Sequence, residues 1–94
     1  MHQELLTAIC KNDFKKFSSL INKKGTHLPI NINYKSLDNW SPIHYAAMHG
    51  NVEIMKLLLK EKSLKINSKT NLGWNALHVA ANSYKKDICV LLLD

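Results

Sequence analysis

Apolar and polar positions alternate along this chain in short blocks with helical spacing. In the middle, Ile43, Ala46 and Ala47 fall at i, i+3 and i+4, the spacing of one helix face. Ser41 precedes them as a helix N-cap and Pro42 fills the first helical position, where its missing N–H costs nothing. Gly50 supplies a residue that takes the left-handed conformation closing such a helix. A second stripe follows at Val52, Met55, Leu58 and Leu59. Upstream, Leu5, Leu6, Ala8 and Ile9 form one apolar face, and Phe14, Phe17, Leu20 and Ile21 form another, with Asn12-Asp13 breaking between them. The pattern therefore predicts helix pairs joined by tight turns.

The pairs repeat. Trp40-Ser41-Pro42-Ile43-His44-Tyr45-Ala46-Ala47 returns 34 residues later as Trp74-Asn75-Ala76-Leu77-His78-Val79-Ala80-Ala81, and Leu57-Leu58-Leu59 returns as Leu91-Leu92-Leu93. Tandem units of this length indicate a solenoid of stacked helix pairs. On these residues the chain resembles the ankyrin repeat family. Ser41 to Ala47 is close to the family's T-P-L-H-x-A-A signature, residues 50–59 match its second-helix pattern, and residues 67–74 match its connecting finger. The resemblance implies an all-α ankyrin-repeat solenoid of about three helix-turn-helix units joined by β-hairpin-like fingers. The units expected are a degenerate N-terminal capping repeat at 1–34, a second repeat at 35–68 and an incomplete third at 69–94.

Three departures stand out. The first connection carries about four extra residues around Pro29, read as a longer loop. Tyr84 stands where Gly50 stands one unit earlier, a strained place for a bulky residue, so a different turn is expected there. No finger or polar capping helix follows Leu93, so Ile88, Leu91 and Leu92 are expected to leave apolar surface open, as in the N-terminal piece of a longer protein beginning at Met1.

Composition narrows the function. Hydrophobic residues make up 46% of the 94, as in a folded domain. No apolar run reaches the roughly 20 residues of a membrane span, and the N-terminus lacks the pattern of a secretory signal. The formal charge is +6 and every basic residue is Lys. Lys lacks the bidentate fork of Arg, which weakens a nucleic-acid reading. Cys10 and Cys89 belong to the first and third units and are expected as free thiols, consistent with a reducing cytoplasm or, for a bacterial effector, the host cytosol.

No catalytic constellation, phosphate loop or zinc-ligand spacing is visible, so no catalysis, cofactor or metal is expected. His44 and His78 are assigned structural roles, since the resemblance implies that each hydrogen-bonds backbone between neighbouring repeats. Ser41, Pro42, Gly50 and Gly73 are assigned to caps and turns. The resemblance also implies a concave partner-binding face of fingertips and inner-helix positions. By position these are Lys35, Leu37, Asp38, Trp40, Met48 and His49 in the second unit, and Lys69, Asn71, Leu72, Trp74, Asn82 and Ser83 in the third. Cys10 and Lys11 extend the row into the first. Aromatic and Met anchors ringed by Lys and Asn suit a protein partner of acidic character. The function expected is a protein-interaction module. The alternatives are the targeting module of a larger effector or enzyme, and nucleic-acid binding through a Lys-rich face.

Overall fold

A computed structural model describes residues 2–22, 32–61 and 64–93. The insertion around Pro29 lies outside the described residues. Six helices follow one another: α1 (His2–Cys10), α2 (Phe14–Asn22), α3 (Pro42–His49), α4 (Val52–Leu59), α5 (Ala76–Asn82) and α6 (Lys86–Leu93). They form three antiparallel pairs. The inner helices α1, α3 and α5 stack in a row, and the outer helices α2, α4 and α6 stack behind them. The body is elongated, 37 × 24 × 24 Å.

Small residues make the inner row possible. Ala8, Ala46, Ala47, Ala76 and Ala80 are all buried, and alanine lets neighbouring backbones approach closely. The outer row supplies the larger side chains, Phe17, Ile54, Met55, Leu58 and Ile88, all at or near zero exposure. Ile54, Met55 and Leu58 form the inward face of α4, while Val52 and Leu59 are only half-buried. Two expectations are corrected. Ile88 is buried at 1% exposure, because α6 packs against both α5 and α4; Leu91 and Leu92 are half-buried, and Val90 and Leu93 are the exposed apolar side chains of α6. Phe14 is 39% exposed, so the inward face of α2 begins at Phe17.

The three helix–helix turns are built alike. Asn12, Gly50 and Tyr84 take the left-handed conformation, with φ of 54°, 70° and 58°. In each, the next residue's N–H reaches back to an alanine carbonyl: Asp13 to Ala8 at 2.8 Å, Asn51 to Ala46 at 3.2 Å and Lys85 to Ala80 at 2.9 Å. This bond closes a helix C-terminus in the Schellman manner. Tyr84 therefore keeps the turn of the other units, contrary to the expected difference.

The fingers are also alike. Ser36 N–H donates to the Trp40 carbonyl at 2.8 Å, and Thr70 N–H to the Trp74 carbonyl at 2.9 Å. Among the described residues no strand forms, because the first finger is filled by a 3₁₀ turn over Leu37–Asn39. Asp38 and Asn39 are left-handed there, and Gly73 is left-handed in the second finger.

Candidate functional site

The repeated motif fixes where the fingers stand. His44 is fully buried. Its Nε2 lies 3.0 Å from the Ser68 carbonyl and 3.1 Å from the Trp74 carbonyl. Carbonyls only accept, so Nε2 carries the proton. Nδ1, left as an acceptor, takes the Ser41 backbone N–H at 3.0 Å, with the Ser41 hydroxyl 2.9 Å away. One ring thus closes the start of α3 and ties the second unit to the finger of the third. Burial holds the imidazole below its usual 6.5; the two carbonyls oppose this and Lys35 adds to it. His78 repeats only half of the device. Its Nδ1 accepts from Asn75 N–H at 3.3 Å and Asn75 Oδ1 accepts from His78 N–H at 2.9 Å. The ring is exposed, and among the described residues Nε2 has no carbonyl to meet. An inter-unit bond is present at His44, and among the described residues none is present at His78.

Side chains then lock finger to finger. Asn71 N–H donates to the Asp38 carbonyl at 2.9 Å, and Asn39 Nδ2 donates to Asn71 Oδ1 at 2.7 Å. Lys35 Nζ reaches Ser68 Oγ at 2.6 Å and the Lys69 carbonyl at 3.0 Å. Leu37 and Leu72, at the two tips, are left 88% and 82% exposed. A leucine so exposed on an ordered turn contributes little to folding.

Between α1 and the first finger lies an open cleft of about 710 Å³. Its apolar wall is Leu6, Tyr34, Leu37 and Tyr45, and Thr7, Cys10, Lys11, Lys35 and Ser36 complete it. Ser36 Oγ and the Tyr45 hydroxyl, both of lining residues, stand 2.8 Å apart. Among the described residues no acid lines it. Four residues singled out in the sequence, Cys10, Lys11, Lys35 and Leu37, are therefore brought to one cleft. Asp38, Trp40, Asn71 and Leu72 gather at a smaller one between the fingertips, and Trp74 and Asn82 at a third beside Gly73.

The tryptophans are less available than their sequence position suggests. Both are half-buried and packed against the core. Trp40 lies 5.7 Å from the His44 ring and 5.4 Å from that of Tyr45. Met48 is half-buried and His49 exposed, and Ser83 ends α5 as its C-cap. Tyr34 and Tyr45 are cleft residues that sequence reasoning passed over. Tyr45 was within reach of it: the residue after His44 is turned by about 100° from the core face.

Among the described residues no three His, Cys, Asp or Glu side chains gather where they would hold a metal ion. Neither cysteine is in a disulfide. No described helix is long and apolar enough to cross a membrane.

Several known proteins share this layout. The chain is 31% identical over 86 residues to the Notch-regulated ankyrin repeat-containing protein of Xenopus tropicalis, covering 92% of this chain and 74% of that one. It is 38% identical over 64 residues to the putative ankyrin repeat protein L371 of Acanthamoeba polyphaga mimivirus, which is 68% of this chain and 8% of the relative's length. A chain in the structure of the predatory endopeptidase Bd0816 from Bdellovibrio bacteriovorus in complex with the immunity protein Bd3460 superposes with a TM-score of 0.83 at 30% identity, covering 96% of this chain and 44% of that chain. The family profile describing ankyrin repeats in three copies matches residues 5–94. On this match the chain belongs to the ankyrin repeat family.

Proposed function

We propose that this chain is a protein-interaction module without catalysis of its own, binding a partner protein across its fingertips and inner helices. The carrying observation is the cleft between α1 and the first finger, where an apolar wall meets Lys11 and Lys35 with no acid among the described residues. Such a cleft suits an apolar side chain of the partner flanked by carboxylates. The bare Leu37 and Leu72 extend the same face. The solved structure of a similar fold within a complex of two proteins supports the reading.

The test is a pull-down from cell lysate with residues 1–94 beside a Leu37→Ser/Leu72→Ser variant of unchanged circular dichroism. A protein captured by the parent and lost from the variant is expected. Equal capture by both, or no specific capture, overturns the reading. Trp40 and Trp74 are unsuitable probes, because truncating them also disturbs the core.

In a second reading the same face recruits targets for an activity carried elsewhere in a longer protein, such as an effector or enzyme. Its support is the mimivirus relative, of which the matched segment is only 8%. A reading frame that encodes no further domain argues against it.

A further inference from the structure

The edge opposite the fingers, where the three helix–helix turns line up, breaks several local rules at once. The turns form one continuous surface. Asn51 Nδ2 donates to Asn12 Oδ1 at 2.6 Å, joining the first turn to the second. The Lys85 side chain lies against Gly50, its Cδ 3.0 Å from where a Cβ there would stand, joining the second to the third.

Tyr84 is the first anomaly. It is 94% exposed, so its ring packs against almost nothing. It also sits at φ 58°, a conformation that Asn and Gly take readily and a bulky residue does not. The other units place Asn12 and Gly50 there. Tyr84 thus serves neither packing nor backbone geometry.

The charges are the second anomaly. Lys15, Lys16 and Lys86 are exposed along this edge, with Lys85 half-buried between the turns. Lys15 and Lys16 occupy the first turn of α2, which holds no acid and where the helix dipole disfavours cations. Among the described residues the ion pair present is Glu53 with Lys56, at 3.9 Å. Asp13 spends an oxygen on the backbone N–H of Lys16, at 3.1 Å. Asp87, in the first turn of α6, remains beside Lys86. Among the described residues none of these lysines is held in an ion pair.

We propose that this turn edge is a second interaction surface, separate from the concave face, that takes an acidic segment of a partner protein. Tyr84 is its aromatic anchor, and Lys15, Lys16 and Lys86 meet the carboxylates. Local rules broken together on a folded surface point to function rather than stability. A protein segment fits better than a nucleic-acid backbone. Asp13, Glu53 and Asp87 interrupt the row and would face a continuous line of phosphates, and no guanidinium is present to grip one.

The test is an NMR titration of residues 1–94 with the blocked peptide Glu-Glu-Asp-Phe-Glu-Asp-Glu. Saturable shifts confined to the amides of residues 11–16, 49–51 and 84–87 are expected. Tyr84→Gly should bind about fivefold more weakly while melting a few degrees higher, a combination that a structural role for Tyr84 would not produce. Tyr84→Phe should bind as the parent does. Lys15→Glu/Lys16→Glu should weaken binding about tenfold, and Leu37→Ser, on the concave face, should leave it unchanged. The proposal is overturned if shifts spread evenly over all lysines, if Tyr84→Gly binds as the parent does, or if Leu37→Ser abolishes binding. It is also overturned if oligodeoxythymidylate moves the same amides at lower concentration than the peptide does.

Discussion

His44 and His78 begin from the same motif and differ in what surrounds them. His44 is sealed between two units, donating to the Ser68 and Trp74 carbonyls. His78 is exposed, and among the described residues it serves the start of α5 alone. His44→Ala should therefore lower stability by roughly 2–4 kcal/mol, by taking this donor from the Ser68 carbonyl, leaving a cap undone and opening a cavity at a fully buried ring. His78→Ala should cost less than about 1 kcal/mol. Urea denaturation of the two variants checks the contrast, and equal losses would mean that the inter-unit bonds of His44 contribute little. The same ring gives stability a pH dependence. Folding holds the pKa of His44 below the 6.5 of the free imidazole. Between the two values the unfolded chain binds a proton that the folded chain refuses, so its share of stability is fully present above pH 6.5. That share is lost as pH falls from 6.5 through the folded value. The urea midpoint should drop between pH 7.5 and pH 5, and the drop should shrink in His44→Gln. An undiminished slope would place the titration on another group.

At the scale of elements, each helix is amphipathic, and its neighbours decide which part of the stripe is used. Leu58 and Leu59 are adjacent in sequence, yet Leu58 is buried and Leu59 half-buried. Leu58→Ala should cost about 2–5 kcal/mol and Leu59→Ala less than half of that, as thermal or urea unfolding would measure. A reversed order would mean that α4 is rotated from the position described. The helices of the second and third units were legible because cap, apolar spacing and breaker recur together at 34 residues. Their burial was only partly so. Ile54 rather than Val52 faces inward on α4, and Ile88 is covered although it lies in the last unit. Such facts depend on which helices pack from outside the segment, and no periodicity within one helix contains them. The candidate site divides the same way. Cys10, Lys11, Lys35 and Leu37 were legible by position in the repeat. Tyr34 and the Ser36–Tyr45 contact were not, because they meet only once finger and inner helix are placed side by side.

At the scale of the whole molecule, α1 packs more extensively against α3 than against its own partner α2, and α3 more against α5 than against α4. The fingers and His44 add bonds that also run from unit to unit. The sequence is written in repeats of 34 residues, but much of the cohesion lies across the joints between them. Stability in such a stack is a sum of unit terms and interface terms, and here the seams between units are packed as extensively as the pairs within them. Under tension applied to its two ends, the molecule should therefore behave as a single brittle rod. Optical tweezers should record one rupture that releases nearly the whole contour at once, about 300 Å. Three successive rips of about a third that length would show instead that the helix pairs, and not the seams between them, carry the load.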